Sequence, residues 1–336
     1  MGEKTVSTID DIATLAGVSK STVSRALNDS PLIGEETRTR IQAIAREHNF
    51  QIHVAARRLS LQKSRTIVFV THNYHKDFCF ADLFGLEMVG AISHALADNN
   101  YDMLMAHVDP YVTTWASQYL DSGRADGFIL MTQTRKTFHI QRLVEIGAPF
   151  IVWGVPLPNE SYCSVTGDNY RGGLLAGRRL LNLGRKKIAF LGGPQGELEV
   201  ERRYQGFEAA MLEAGRTVDS ALVVNAHYSS EGAAEMTGLL LEQAPDLDGI
   251  FSCSDVMAVG AMDVLRASGR SIPGDVAVVG YDDLSIAAIC NPPLTTISQH
   301  LPLAGRMLAE NLIQYLQQGV VTNVCVPVDL IVRQSG

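Results

Sequence analysis

Short apolar runs recur along most of this chain, and stretches with helical spacing separate them. They form two sets of four: TIVFVT, YDMLMA, DGFILM and PFIVW, then KIAFLGG, ALVVN, DGIFS and VAVVG. Strands that alternate with helices predict parallel β-sheets with helices on both faces, so two sets predict two α/β lobes. Ligands of open parallel sheets bind beyond the carboxyl ends of the strands. We therefore expect a ligand site in a cleft between the lobes.

The loops after these runs hold no recognisable catalytic pattern. GGPQG follows the fifth run without the GxGxxG spacing, and the sequence contains no Walker A, GxSxG or HExxH motif. The five cysteines are scattered without a CxxC pair, which predicts reduced thiols rather than disulfides or metal ligands. We expect a binding protein that is not an enzyme and that uses no metal or cofactor.

Charge divides the chain into a cationic head and an acidic body. Residues 1–65 carry ten Lys and Arg against seven Asp and Glu, whereas the rest of the 336-residue chain carries 18 against 29. This asymmetry predicts that only the head meets a polyanion. The N-terminus MGEKTVSTIDD has acids where a signal peptide needs an apolar core, and no apolar run is long enough to span a membrane. These features predict a cytoplasmic protein without a membrane segment.

The head is predicted to consist of three short helices. Thr8 and Asp11 have the spacing of a capping box, and Gly17 suits the left-handed residue that ends a first helix. Ser19 is a suitable cap for a second helix, and a third is expected at roughly 35–48. Two helices joined by a tight glycine turn form a helix-turn-helix.

The second predicted helix leaves its polar side chains outward or at its exposed N-terminal end: Lys20, Ser21, Ser24 and Arg25. An α-helix fits the major groove of DNA, where Lys or Arg can meet guanine and Ser can bond bases or phosphates. DNA recognition therefore explains these residues chemically. The alternative is a capped helical hairpin with ordinary solvated charges.

The strings TIDDIATLAGVSKSTVSRALN and TRTRIQAIAREHNF resemble the DNA-binding domain of the lactose-repressor (LacI/GalR) family. The resemblance implies that Lys20, Ser21 and Arg25 read bases from the recognition helix. It implies contacts to the DNA backbone, or helix caps, at Thr8, Ser19, Thr22, Ser24 and Asn28. For Thr22 an ordinary hydroxyl on the helix surface is the alternative.

A basic connector follows the head, and its AARRL string is similar to the family's hinge helix. The resemblance implies that Leu59 wedges into a central minor-groove step, which bends the DNA. The implied DNA contacts of the hinge are Ala56, Arg57 and Leu59. The chain departs from the family at Ile52 and His53, where Pro-Asn is usual, so the start and the capping of the hinge helix stay open. The alternative is a flexible linker with Leu59 packed on the next domain.

The body is similar to the family's periplasmic-binding-protein-like (type I) effector domain. The strings that carry the likeness are GDNYRGG, LLNLGRKKIAFLGG, ERRYQGF, SDVMAVGAMDVLRASGRSIPGDVAVVGYDD and PPLTTISQ. The implied fold class is α/β, with an N-terminal helix-turn-helix domain and hinge followed by a two-lobed effector domain. The expected boundaries are 1–50 for the helix-turn-helix, 51–64 for the hinge, 65–163 and 291–321 for the N-lobe, and 164–290 and 322–336 for the C-lobe.

Three charged residues of the body match effector-binding positions by this resemblance. Arg203 matches an arginine that contacts the effector, and Asp282 matches an effector-binding acid. Ser254-Asp255 falls where the family usually has Asn-Asp. An Arg and an Asp that face one another across a cleft suit a polyol, because each makes paired hydrogen bonds to adjacent hydroxyls. The alternatives are an interlobe salt bridge for the pair and a helix N-cap for Asp255.

Further effector contacts are predicted at the ends of strands. Trp153 ends the PFIVW run, and Tyr228 lies near a position that is often aromatic in the family; both are candidates for an aromatic platform under a sugar ring. His72 and Asn73 follow the first strand of the body. A buried histidine with satisfied hydrogen bonds is the alternative for His72. Gly154 stands where the family has an acid or polar residue, which leaves room for a disaccharide or other oligosaccharide.

The resulting hypothesis is a homodimeric, nucleoid-associated repressor of carbohydrate-utilisation genes. It binds double-stranded operator DNA with a palindromic sequence, and a sugar inducer bound between the lobes releases it. The end VDLIVRQSG has no leucine heptads, which favours a dimer over a tetramer. One alternative is a regulator that uses a purine or nucleoside corepressor, and a second is a sugar-binding transport protein.

Overall fold

The computed structural model describes residues 8–50, 63–72, 83–109, 112, 114–131, 138–157 and 161–336. The chain forms two compact units, which are residues 1–65 and residues 66–336. The first is the head of the sequence analysis, and the second is the body.

The head consists of three helices that pack around a small apolar core. They are α1 (Ile9–Ala16), α2 (Lys20–Leu27) and α3 (Glu35–Glu47). Each helix contributes fully buried side chains to this core, which are Ile12 of α1, Val23 and Ala26 of α2, and Ile41 of α3. The helix-turn-helix is confirmed.

Local capping sets the helix ends as the sequence predicts. The Thr8 hydroxyl accepts a hydrogen bond from the Asp11 amide at 3.2 Å, and the Thr8 amide donates to the Asp11 carboxylate at 3.0 Å. Gly17 ends α1 with φ 64°, a conformation that glycine adopts without strain. Ser19 then accepts from the Thr22 amide at 3.2 Å and begins α2. These side chains fix the turn between the two helices.

The body alternates strands with helices. Its strands are β1 (Thr66–His72), β2 (Asp102–Val108), β3 (Gly127–Met131), β4 (Phe150–Trp153), β5 (Cys163–Gly167), β6 (Ile188–Gly192), β7 (Val223–Asn225), β8 (Gly249–Ser252), β9 (Ala277–Asp282), β10 (Thr295–Ser298), β11 (Asn323–Val326) and β12 (Asp329–Ile331). Its helices are α4 (Leu83–Asp98), α5 (Trp115–Asp121), α6 (Phe138–Glu145), α7 (Asn169–Asn182), α8 (Leu198–Glu213), α9 (Ser230–Gln243), α10 (Asp255–Ala267), α11 (Ser285–Ile289) and α12 (Leu301–Gln318).

The strands form two six-stranded sheets, one in each lobe. The N-lobe sheet has the order β11-β5-β4-β3-β1-β2, and the C-lobe sheet has the order β12-β10-β9-β8-β6-β7. Neighbouring strands run parallel, except that β12 is antiparallel to β10. Apolar side chains cover both faces of each sheet, as parallel sheets between helices require. The predicted two-lobed α/β fold is confirmed.

The predicted lobe boundaries are wrong near the three crossings of the chain. The structure assigns β10 to the C-lobe, because it pairs with β9, although we expected 291–321 in the N-lobe. It assigns β11 to the N-lobe, because it pairs with β5, although we expected 322–336 in the C-lobe. All of β5 also belongs to the N-lobe, which moves the first crossing to the end of this strand.

The crossing segments lie side by side. The Asp168 amide, which follows β5, donates to the Val326 carbonyl at the end of β11 at 3.0 Å. Gln299 follows β10 and lies so close to Gly167 that a Cβ there would be 2.5 Å from the Gln299 Oε1 atom. A movement of one lobe against the other therefore acts on all three segments.

The four described cysteines, Cys163, Cys253, Cys290 and Cys325, are free thiols, and Cys79 lies outside the described residues. None of the described helices combines the length and the apolar character that crossing a membrane requires.

Candidate functional sites

The first candidate site is the exposed surface of α2 in the head. Lys20, Ser21 and Arg25 are exposed, whereas Thr22 and Ser24 are half-buried. Val23 and Ala26 are buried and fix which face of α2 packs on the head, so Ser21 and Arg25 lie on the opposite face, and Lys20 lies at the N-terminal end of the helix. The surface thus carries two cations and a hydroxyl at helical spacing, which suits contacts to base edges and phosphates.

Lys20 has a partner within the head. Its ammonium lies 2.5 Å from the Asp10 carboxylate of α1, and both side chains are more than half exposed. Such an exposed pair adds little to stability. A polyanion that approached Lys20 would compete with Asp10 for its ammonium.

The hydroxyls of the turn serve mainly as caps. The Ser19 hydroxyl lies 2.8 Å from the hydroxyls of both Ser21 and Thr22, in addition to its bond with the Thr22 amide. Thr8 forms the capping box of α1. For Ser19 and Thr8 the structure thus supplies the cap that the sequence analysis named beside a DNA contact.

Asn28 ends α2 with its backbone amide bonded to the helix. Its side-chain Oδ1 atom is buried and has no hydrogen-bond partner among the described residues. The hinge residues Ala56, Arg57 and Leu59 lie outside the described residues, together with Ile52 and His53. The DNA contacts of the head and hinge stay predictions.

The second candidate site surrounds Arg203, which projects from α8 in the C-lobe. The side chain is 6% exposed. Its Nε atom donates to the Asn169 side-chain oxygen at 2.8 Å, and Nη1 donates to the Cys253 carbonyl at 2.5 Å. The guanidinium carbon lies 3.7 Å from the centre of the Tyr281 ring, within the range of a cation–π contact. Arg203 is therefore held in place by three segments of the C-lobe, which are the start of α7, the residue after β8, and β9.

Asp282 lies beside Arg203 at the end of β9. Its Oδ1 atom is 3.9 Å from Arg203 Nη1 and accepts a hydrogen bond from Gln299 Nε2 at 2.7 Å. Both Arg203 and Asp282 belong to the C-lobe, so the prediction that they face one another across the cleft is wrong. The alternative of an interlobe salt bridge is wrong for the same reason. The two side chains form one wall of the site.

Gln299 joins this wall from the second crossing segment, which follows β10. It is 1% exposed, and its Oε1 atom has no hydrogen-bond partner among the described residues. An unpaired buried acceptor is costly unless a ligand or water supplies a donor. The acceptor therefore suits a ligand that donates hydrogen bonds.

The charge state of the wall follows from its contacts. Burial acts against the positive charge of Arg203, but Tyr281 and Asp282 outweigh it and raise the pKa of Arg203 above its ordinary value. Burial also raises the pKa of the Cys253 thiol to about 12, so this cysteine is not a nucleophile. No group of His, Cys, Asp or Glu in the described part of the chain is arranged to hold a metal ion.

The proposed effector contact at Asp255 is corrected. The side chain is fully buried, and its two oxygens accept hydrogen bonds from the Thr296 hydroxyl at 2.5 Å and the Leu284 amide at 2.8 Å. Burial and the nearby Asp282 raise the pKa of Asp255 well above its ordinary value. Its acceptors are used inside the C-lobe, where they join α10 to β10 and to the segment before α11. Ser254 is the N-cap of α10, so the N-cap alternative for Asp255 is wrong as well.

The two aromatic candidates differ in exposure. Tyr228 is 37% exposed, and its ring covers Gly193, where a Cβ would lie 2.5 Å from the ring. Burial of its hydroxyl near Cys253 raises the pKa of Tyr228 well above its ordinary value. Trp153 is 7% exposed and packs in the N-lobe core, with its ring 6.1 Å from that of Phe84. Tyr228 therefore offers the more accessible ring face.

His72 ends β1, but its side chain and the whole of Asn73 lie outside the described residues. Several residues of the wall were missed by the sequence analysis: Asn169, Tyr281 and Gln299. Each occurs in a string that carried the family resemblance, which was the available signal. Their proximity to Arg203 depends on strand order, which the strings do not reveal.

Two family models together match most of the chain. Residues 8–52 match the model described as bacterial regulatory proteins, lacI family. Residues 65–334 match the model described as periplasmic binding proteins and sugar binding domain of LacI family. The boundary between the two matches falls in the predicted hinge.

Individual proteins show the same likeness over nearly the whole chain. The HTH-type transcriptional regulator CelR of Thermobifida fusca is 34% identical over 334 residues, which is 98% of each protein. A solved complex of the transcriptional regulator CelR with cellobiose is similar with a TM-score of 0.75 and 32% identity, covering 98% of this chain and 99% of that one. The lac repressor dimer bound to operator and the anti-inducer ONPF has a TM-score of 0.80 and 25% identity, covering 98% of each chain.

Proposed function

Because the chain belongs to the LacI family of bacterial transcriptional regulators, we propose that it is a homodimeric repressor that a short neutral oligosaccharide releases from a palindromic operator. In this proposal the protein acts on DNA in the bacterial cytoplasm and catalyses no reaction. The observation that carries the sugar assignment is the buried wall of Arg203, Asp282 and Gln299, with the Tyr228 ring beside it.

Hydroxyl groups complement this wall. A sugar hydroxyl both donates and accepts, so it can donate to the unpaired oxygen of Gln299 or to Asp282, and accept from Arg203. The exposed ring of Tyr228 offers an apolar face to the C–H face of a sugar ring. The relative that binds cellobiose supports a disaccharide, and Gly154 adds room at the end of β4.

Release from DNA follows by linkage. A sugar that binds better to one arrangement of the lobes shifts the population toward that arrangement. We propose that this shift moves the hinges apart and weakens operator binding. The coupling is reciprocal, so operator DNA weakens sugar binding by the same factor.

Selection of bound duplexes from a random library of roughly 20 bp tests the DNA part, since this length covers two half-sites. We expect an enriched palindrome that cellobiose releases. If a palindrome is enriched only after purines or nucleosides are added, the effector is a corepressor and not an inducer. Absence of enrichment under both conditions would refute DNA recognition.

Arg25→Ala and Arg46→Ala form a matched pair for the head. Both arginines are exposed cations, but Arg25 lies on α2 and Arg46 near the end of α3. We expect Arg25→Ala to remove most of the preference for the selected palindrome, by roughly ten- to a hundredfold, because a base contact is lost. Arg46→Ala should keep the sequence preference. Equal loss of preference in both variants would contradict the assignment of Arg25.

Asp10→Asn tests the competition for Lys20. Removing the carboxylate 2.5 Å from the ammonium frees this cation for DNA. We expect operator binding to become about two- to threefold tighter at low salt, with a smaller gain at high salt because exposed charges are screened. Fluorescence anisotropy of labelled operator measures the effect, and an unchanged or weaker affinity at low salt would count against it.

A further inference from the structure

A carboxylate of the C-lobe reaches across to the N-lobe at the edge of the proposed sugar site. The Val155 amide, just after β4, donates a hydrogen bond to Glu199 Oε1 at 2.8 Å. Glu199 belongs to the first turn of α8. The bond therefore joins the two lobes directly through one side chain.

The conformation of Gly154 makes the Val155 amide available. The Gly154 amide still bonds to the Val165 carbonyl of β5, at 2.9 Å, but its φ of 146° turns the chain out of the sheet. This conformation suits glycine, because a side chain would strain it. The Val155 amide therefore does not bond to a neighbouring strand among the described residues and points toward the C-lobe. Gly154, which we expected to leave room for a ligand, therefore also directs the Val155 amide toward the C-lobe.

Glu199 also belongs to the wall of the sugar site. It precedes Arg203 by one helical turn, so both side chains lie on the same face of α8. The Glu199 side chain is half-buried, and Arg203 and Glu197 are the charged groups that act on it electrostatically. A carboxylate can accept about four hydrogen bonds, so the bond from Val155 leaves acceptor capacity for a ligand.

The charges of this wall disfavour an anion. Arg203 is its cation, and Asn169, the Cys253 carbonyl, Tyr281 and Asp282 already surround that guanidinium. Glu199 and Asp282 present two carboxylates against this single engaged cation. A phosphorylated or acidic sugar would place a further negative charge beside them, at a cost that low-dielectric surroundings increase.

We propose that Glu199 is a specificity-determining residue of the effector site, which accepts a hydroxyl of a neutral sugar, bridges the lobes and rejects phosphorylated sugars. This inference rests on the proposed function. A neutral sugar adds a hydrogen bond to a carboxylate that already holds the lobes together, so recognition and lobe closure share one group. A sugar phosphate meets the same carboxylate as a repulsive charge.

Glu199→Gln tests the inference by isothermal titration with cellobiose and with cellobiose 6-phosphate. We expect the wild-type protein to prefer cellobiose by at least about a hundredfold. In Glu199→Gln, cellobiose affinity should fall about tenfold, because a charge-assisted hydrogen bond becomes a neutral one. The preference over the phosphate should shrink about tenfold or more. Glu201→Gln is the matched control, because Glu201 is exposed on the same helix, and it should keep wild-type values.

Glu199→Asp separates charge from reach. The shorter acid keeps the negative charge but retracts from Val155, so it should reject the phosphate as the wild-type protein does while cellobiose affinity falls. A structural defect would lower affinity for both sugars without changing their ratio, and that outcome would overturn the inference. A wild-type protein that prefers the phosphate, or a Glu199→Gln variant with wild-type affinities, would also overturn it while sugar regulation stands. A wild-type protein that binds neither sugar and keeps its operator would overturn the inference and the proposed function together.

Glu87→Gln shows whether bridging alone explains the effect. Glu87 of the N-lobe accepts a hydrogen bond from the Ser285 amide of the C-lobe at 2.8 Å, so it joins the lobes through a different pair of residues. We expect Glu87→Gln to change both affinities by a common factor and to leave their ratio unchanged. A ratio that shifts as much as in Glu199→Gln would show that the preference belongs to lobe closure, and would overturn the assignment of Glu199.

Discussion

Removing the carboxylate of Asp282 is expected to destabilise the protein and to abolish its response to sugar. Asp282 is 5% exposed, accepts from Gln299 at 2.7 Å and lies 3.9 Å from Arg203. Asp282→Ala leaves the buried Gln299 amide unpaired, which costs about 1–3 kcal/mol. It also removes a partner of a buried charge, a loss that costs about 3–5 kcal/mol in well-formed pairs.

The expected total cost of Asp282→Ala lies below the sum of these two values, which is about 4–8 kcal/mol. Arg203 keeps its bonds to Asn169 and to the Cys253 carbonyl, and 3.9 Å is long for an ion pair. We therefore expect Asp282→Ala to lower the free energy of unfolding by about 3 kcal/mol. Asp282→Asn keeps an acceptor oxygen for Gln299, so about 1 kcal/mol is expected.

The backbone conformation of Asp282 allows a second comparison, between its replacement by alanine and its replacement by glycine. Asp282 has φ 111°, a conformation that strains any residue with a Cβ by about 1–3 kcal/mol. Asp282→Gly relieves this strain, although the greater unfolded-state entropy of glycine offsets about 0.4–1 kcal/mol of the gain. Asp282→Gly should therefore be about 1 kcal/mol more stable than Asp282→Ala.

Calorimetric unfolding and sugar-triggered operator release measure the two effects. The expected order of stability is wild type, Asn, Gly, Ala, and we expect all three variants to hold operator at sugar concentrations that release the wild-type protein. An Ala variant as stable as the wild-type protein, or more stable than the Gly variant, would refute the reasoning on packing and strain. An Ala variant that cellobiose still releases would refute the binding role of Asp282.

The remaining predictions concern helix packing and pH. A Cβ on Gly206 of α8 would lie 1.9 Å from a backbone carbonyl oxygen of α7, so Gly206→Ala should lower the free energy of unfolding by about 2–4 kcal/mol, whereas Gly238→Ala in α9, where a Cβ meets open space, should raise it by up to about 1 kcal/mol. Thermal unfolding of the two variants compares them, and equal shifts would contradict the close approach of α7 and α8. Burial raises the pKa of Glu199 above its ordinary value despite the opposing effect of Arg203, and Glu197 adds to the rise. Because the folded pKa lies above the unfolded one, the contribution of this group to stability is present below the unfolded pKa and is lost as pH rises through the folded pKa. The stability of the wild-type protein relative to Glu199→Gln should thus decrease as pH rises above the ordinary pKa of a glutamate, and a constant difference would count against the assignment.

Local sequence determined the head. The capping box at Thr8, the left-handed glycine at Gly17 and the serine cap at Ser19 are interactions over three or four residues, so the sequence sets them without reference to the rest of the chain. The alternation of strands and helices in the body is local in the same sense. These patterns predicted the helix-turn-helix and the two α/β lobes, and the structure confirmed both.

Long-range pairing decided which lobe each returning strand joins. β10 and β11 are short strands that can extend either sheet, and the sequence assigned both to the wrong lobe. Their places follow from backbone pairing through space: Thr295 of β10 pairs with Val279 of β9, and Asn323 of β11 pairs with Ser164 of β5, which is distant in the chain. Both lobes have the same alternating pattern, so composition and periodicity do not distinguish one sheet from the other.

The sugar site shows the same division between sequence and tertiary structure. The strings of the family singled out Arg203 and Asp282, but only the fold puts them on one wall, buries Asp255 and aligns Gln299 with Asp282. The bond between Glu199 and Val155 joins residues 44 positions apart in different lobes. The sequence determines which residue types are present in a site. The distances between them and their burial arise only when separate strand ends converge in the fold, because burial and charge act through space and not along the chain.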